Sequence, residues 1–157
     1  MTVDNVGLDS IKKSEGVRST MYHDSVGLPT IGVGHLLTKS ELSAGKIQLR
    51  EGGVRWANGL TEMQVDELLA RDLAMAEGTV EDAITVPVSQ NQFNALVSFV
   101  FNVGGTAFVH SRLLRELNAG HKEAVPAQLR RWIYAGGEPQ PGLVHRRAEE
   151  IRLWERI

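Results

Sequence analysis

Residues 89–105, SQNQFNALVSFVFNVGG, constrain the chain more than any other stretch. Ser89 and Gln92 stand at the spacing of a capping box, in which each side chain satisfies a backbone N–H that the first helical turn leaves unpaired. The pair Gly104–Gly105 closes the segment. Between these ends the apolar residues fall on nearly every side of a helical period, and such a helix has to be buried. The rest of the chain must wrap around it. With 157 residues, the chain can bury roughly 70% of the surface that its unfolded form exposes, and it reads as one domain.

The flanking segments supply the wrapping. Thr61-x-x-Gln64 is a second capping box, and apolar residues at 65, 68, 69, 73, 76 and 80 follow helical spacing. This predicts a long helix over 61–84, with Gly78 as its weak point. Helices are also predicted over 108–119, closed by Gly120, and over 126–135, where Pro126 suits a first turn. A loop, GGEPQPG, precedes a last helix from about 143. Before residue 61, a short helix over 5–15 starts at Asp4 or Asn5 and stops at Gly16. The strand RSTMYH, the turn DSVG and the strand LPTIGVG then read as a hairpin. Residues 39–60 read as loop, with one further strand near 47–51. The expected class is α+β: an N-terminal lobe over 1–60 with a small antiparallel sheet, a connecting helix over 61–84, and a helical lobe over 85–157. Ligand clefts commonly lie between such lobes.

Composition narrows the function. The chain has no cysteine, which excludes disulfides, thiol catalysis and cysteine-ligated zinc. No apolar run approaches the roughly 18 residues of a membrane span, and MTVDNVGLDS lacks the pattern of a signal peptide. The net charge of −2 is distributed unevenly, with 3 basic against 8 acidic residues over 61–120. That acidic stretch reads as a solvated helix face, and no basic stripe or phosphate loop points to nucleic acid.

Chemistry concentrates in SEGVRSTMYHDSVGLPTIGVGHLLT, residues 14–38. Glu15 falls in the last turn of the first helix, where the macrodipole disfavours an anion. A carboxyl that keeps its proton is what a general acid requires, although a solvated glutamate at a frayed helix end fits the position too. Asp24 opens the hairpin turn, a common turn-forming position, and taken alone it reads as that. In Thr30-Ile31-Gly32-Val33-Gly34, strand alternation would put Ile31 and Val33 on one face and Thr30, Gly32 and Gly34 on the other. Two glycines on one face suggest close approach to the backbone, and a sugar ring is a suitable visitor. A carboxylic acid, a carboxylate and a hydroxyl around an open face suit glycoside hydrolysis. In its inverting form, one group protonates the leaving oxygen and a second activates water, with carboxyls roughly 6.5–9.5 Å apart.

The spacing Glu15-x8-Asp24-x5-Thr30 resembles the catalytic pattern of the phage-type lysozymes, or endolysins. IGVGHLLT, NGLT, QNQFNALVSFVFNVGG, FVHSRLLRELNAG and RRWIYAGGEPQPGLVHRRAEE are similar to that family's segments, in its order and over nearly the whole chain. The resemblance implies a lysozyme-like fold and hydrolysis of the β-1,4 bond between N-acetylmuramic acid and N-acetylglucosamine in peptidoglycan, with inversion as the family expectation. Glu15 would be the acid, and Asp24 and Thr30 would hold and activate the water. Gly34, Leu36, Phe101, Asn102 and Ser111 would line the sugar site, with core packing an equal reading for Leu36 and Phe101. His35 would stand behind the site, and Arg147, less clearly Arg146, would pair with the glutamate. The alternative for HRRAEE is an exposed face with ion pairs worth tenths of a kcal/mol.

The implied partners are peptidoglycan and a separate holin-type pore that releases the enzyme from the host cytoplasm. No cofactor or metal, no nucleic acid, no stable membrane insertion and a monomeric state are expected. A non-catalytic glycan-binding or phage structural relative is the competing class, and the presence of all three pattern residues argues against it.

Overall fold

The computed structural model describes residues 1–156. Eight α-helices and three small antiparallel sheets are present among them. The chain divides into two compact units, one formed by Glu15–Asp72 and the other by Met1–Ser14 with the chain from Leu73 onward. The division falls inside two continuous helices, α1 (Asn5–Glu15) and α3 (Glu62–Ala83), so the N-terminal helix groups with the helical unit rather than with the strands.

In the helical unit, α4 (Gln90–Val103) is the buried helix that the sequence demanded. Ser89 and Gln92 cap it reciprocally, and all eight residues from Phe93 to Val100 are buried. Its two polar members in that run are satisfied. Asn94 donates to Asp4 Oδ1 at 2.7 Å, and the Ser98 hydroxyl donates to Glu150 Oε1 at 2.9 Å. Asp4 also accepts from the Gly7 amide at 3.1 Å, which fixes the start of α1. Helix α8 (Pro141–Glu155) packs along α4.

Two predicted helices of this unit differ. The single helix over 108–119 is two, α5 (Gly105–Val109) and α6 (Arg112–Asn118). The break lies at Ser111, whose side chain accepts from the Leu114 amide at 3.1 Å and so begins a new helix. The helix over 126–135 is the shorter α7 (Val125–Leu129), reached through a 3₁₀ turn over Lys122–Ala124. The residues beyond it form a hairpin of Tyr134–Ala135 with Glu138–Pro139, which turns on Gly136 and Gly137, both at positive φ.

In the strand-bearing unit, β1 (Arg18–His23), β2 (Pro29–Gly32) and β3 (His35–Leu36) form one antiparallel sheet in sequence order. Tyr22 lies opposite Thr30, and Thr30 lies opposite Leu36. The region read as loop is structured. Thr38 and Glu41 form a capping box for α2 (Lys39–Ala44), and Gly45 closes it in the left-handed conformation at φ 69°. A two-stranded sheet follows, β4 (Lys46–Leu49) with β5 (Gly52–Arg55). Thr61 and Gln64 then start α3 as a reciprocal pair. Ile31, Val33, Ile47, Leu60, Leu68 and Leu69 form the apolar centre of this unit.

A candidate active site on the strand-bearing unit

The expected open strand face does not exist in that form. Strand β2 ends at Gly32, and Val33–Gly34 is a two-residue turn into β3. Thr30, Ile31 and Val33 are 2%, 0% and 3% exposed, so residues expected on opposite faces are all covered. The glycines are there for their backbone, because Gly32 and Gly34 adopt φ 69° and 68°. Close approach does occur at Gly34, but the visitor is the chain's own Glu15 carboxyl. A Cβ built on Gly34 would lie 3.3 Å from Glu15 Oε2. Glu15 is the last residue of α1, half-buried, with its carboxyl seated on the β2–β3 turn.

Asp24 and Thr30 are joined through the backbone of Leu28. Asp24 Oδ1 accepts from the amides of Val26 at 3.0 Å and Leu28 at 2.8 Å. The Leu28 carbonyl in turn accepts from the Asp24 amide and from the Thr30 hydroxyl, both at 2.9 Å. Asp24 is therefore the turn former that its position suggested. Its Oδ2 is not used by these turn bonds, and the oxygen of Thr30, having given its proton to Leu28, keeps lone pairs with which to accept.

His35 sits beside Gly34 and is 8% exposed. Its Nδ1 lies 2.7 Å from Asp72 Oδ2, and its Nε2 lies 2.8 Å from Glu41 Oε1. Burial disfavours a charged ring, but the hydrogen bonds and charges of Asp72 and Glu41 outweigh it and hold the imidazole above its ordinary value. Burial likewise works to raise Glu41, and the Thr38 amide at 2.9 Å together with His35 outweighs that and holds its carboxyl low. Arg71 approaches both carboxylates, at 3.5 Å from Glu41 and 3.9 Å from Asp72. Sequence reasoning missed Glu41, Asp72 and Arg71. The readable signal was Thr38-x-x-Glu41, a capping box one turn past the histidine.

The remaining sequence-predicted residues divide between the units. Leu36, 50% exposed, is the register partner of Thr30 in the strand-bearing unit. Phe101, Asn102, Ser111, Arg146 and Arg147 belong to the helical unit. Phe101 is half-buried and Asn102 exposed. Ser111 is 4% exposed, and it donates to the Phe108 carbonyl at 2.6 Å besides capping α6. The reading of HRRAEE as an exposed face is overturned. Arg146, Arg147, Glu149 and Glu150 are 4%, 1%, 7% and 0% exposed. Glu150 Oε2 lies 2.7 Å from Arg147 Nε, and Arg147 donates to Asn102 Oδ1 at 2.8 Å with its guanidinium 5.0 Å from the Phe99 ring centre. The i,i+3 and i,i+4 pairing of that reading is present, but it is buried.

Among the described residues no cluster of His, Asp or Glu with metal-binding geometry occurs, and no helix is long and apolar enough to cross a membrane. Residues 12–150 match the phage lysozyme family. The chain is 37% identical over 151 residues to the endolysin of Salmonella phage P22, covering 95% of each. It is also 37% identical over 142 residues to a SAR-endolysin of bacteriophage PS119, covering 89% of this chain and 77% of that protein. The crystal structure of a P22 lysozyme mutant superposes with a TM-score of 0.84 at 35% identity, over 99% of both chains.

Proposed function

The chain belongs to the phage lysozyme family, and from that premise we propose that it is an endolysin that hydrolyses the β-1,4 bond between N-acetylmuramic acid and N-acetylglucosamine in peptidoglycan. Glu15 donates its proton to the leaving glycosidic oxygen. A water held by Asp24 and Thr30 attacks the anomeric carbon from the opposite side of the ring. One water proton passes to Asp24 Oδ2, while Thr30 Oγ1 accepts a hydrogen bond from the other O–H and so aims the lone pair. The products are a muramic acid hemiacetal of inverted configuration and a free hydroxyl on the glucosamine.

The observation that carries this reading is the arrangement within one compact unit. A carboxyl at a helix C-terminus is held against a glycine turn, and the backbone of Leu28 ties an aspartate to a buried threonine whose oxygen can still accept. Leu36, the register partner of Thr30, is assigned to the sugar chain. The enzyme acts as a monomer and reaches the wall from the host cytoplasm through a separate holin-type pore.

Glu15→Gln tests the assignment. The variant is nearly isosteric and cannot donate a proton, so it should fold normally while clearing of chloroform-permeabilised Gram-negative cells falls by roughly 10²–10⁴-fold. Clearing within about threefold of the wild type would remove Glu15 from the mechanism.

A further inference from the structure

The His35 cluster lies outside the three reacting residues, yet among the described residues His35 is the one buried ionisable side chain of its unit. β3 is only two residues long. Its first residue, His35, follows Gly34, which carries the Glu15 carboxyl, and its second, Leu36, pairs with Thr30. What holds so short a strand is its side-chain anchorage: His35 reaches Glu41 on α2 through one ring nitrogen and Asp72 on α3 through the other. Glu41 is itself fixed by the Thr38 amide at 2.9 Å, and the Trp56 indole donates to its backbone carbonyl at 2.9 Å.

We propose that His35 is a positioning residue: its protonated ring, clamped between Glu41 and Asp72, fixes β3 and with it both the Gly34 seat of Glu15 and the strand partner of Thr30, so that loss of the ring proton loosens the acid and lowers activity. This rests on the muramidase reading above. The chemistry of the ring supplies the switch. An imidazolium donates from both nitrogens and satisfies both carboxylates. A neutral ring donates from one only, so either Glu41 or Asp72 then faces a nitrogen lone pair at 2.7–2.8 Å. The charged groups around the ring are Glu41 from α2 and Asp72 from α3, with Arg71 of α3 on the outer oxygens of both. Arg71 contacts Glu41 Oε2 and Asp72 Oδ1, the oxygens turned away from the ring, so it does not stand in for the lost donor.

The test is Glu41→Gln. A glutamine at this position still completes the capping box with Thr38, which preserves α2 while removing one of the charges that keep the ring protonated. The pH dependence of kcat/KM on purified peptidoglycan and the NMR titration of the His35 ring are measured in wild type and variant, with thermal unfolding at each pH confirming a folded protein. The two midpoints, the alkaline fall in activity and the ring titration, should coincide in the wild type and move down together by about one to two pH units in the variant. Asp72→Asn provides the same comparison from the other nitrogen if Glu41→Gln does not fold. A ring midpoint that moves while the alkaline limb stays in place would overturn the inference and leave the muramidase reading intact. A wild type without muramidase activity would overturn that reading instead. The positioning claim is then decided by whether the Gly34 amide and Glu15 carboxyl signals follow the ring titration in the same spectra; silence there would sink it.

Discussion

Gly34→Ala separates the two jobs assigned to Gly34, a backbone conformation and a seat for the acid. At φ 68° an alanine carries a left-handed penalty of about 1–2 kcal/mol. For a chain of this size that lowers the melting temperature by about 2–8 °C. The second cost is local: the new methyl would lie 3.3 Å from Glu15 Oε2, closer than ordinary contact, so the carboxyl must give by a few tenths of an ångström. Since misplacing a reacting group by about 1 Å costs on the order of 100-fold, this smaller shift should cost roughly tenfold in turnover. Gly32→Ala is the matched control. Gly32 has nearly the same backbone, φ 69°, but its Cβ would meet only Leu68 Cδ2, at an ordinary 3.7 Å. The two variants should therefore lose similar stability by calorimetry. Initial rates of clearing permeabilised cells should fall roughly tenfold for Gly34→Ala and stay within about threefold for Gly32→Ala. Equal activity losses would mean that backbone strain alone explains the glycine, and that Gly34 has no special relation to Glu15.

Asp24→Asn keeps an acceptor for the Val26 and Leu28 amides but removes the charge; its melting temperature should stay within about 2 °C of wild type while activity falls roughly 10²-fold or more. Parallel loss of stability and activity would leave Asp24 a turn former only. Glu150→Ala removes the buried carboxylate that pairs with Arg146 and Arg147 and should destabilise the chain by about 3–5 kcal/mol in denaturant unfolding; a loss below about 1 kcal/mol would contradict the buried network. The pH dependence of stability has a definite sign. His35 is held above its ordinary 6.5, so its contribution is complete below that pH and is lost as pH rises through the elevated folded value. Melting temperature should fall across that alkaline window, and Asp72→Asn should flatten the fall; an unchanged slope would show that the clamp adds no stability.

The parts of the fold legible in the sequence were those written in local spacing. Ser89 with Gln92 and Thr61 with Gln64 announced two helices because a capping box needs only residues three apart, and both boxes are present. The same signal stood at Thr38 and Glu41 but went unread among the glycines of 39–60, where turn residues masked a helix and a hairpin. Period-two alternation failed at Gly32 because the strand ends there, and nothing in a run of Gly-Val-Gly distinguishes a strand from a tight turn. Within the candidate site, Glu15, Asp24 and Thr30 were singled out by the resemblance of their spacing and flanking segments to the family pattern. Asp72, 37 positions from His35, was not, since pairing at that distance is decided by how α3 packs. The burial of Arg147 and Glu150 was hidden for a related reason: an i,i+3 pair reads the same on a solvated face and in a core.

The ends of the released fragments record which bond is broken. Purified Gram-negative peptidoglycan is digested with the wild type, the products are reduced with borohydride, and the released muropeptides are read by mass spectrometry. Cleavage by water at the muramic acid anomeric carbon predicts fragments that terminate in reduced N-acetylmuramic acid, at a yield that collapses with Glu15→Gln. Fragments ending instead in anhydro-muramic acid, in reduced N-acetylglucosamine, or in cleaved stem peptides on intact glycan would contradict the hydrolysis assigned to Glu15, Asp24 and Thr30.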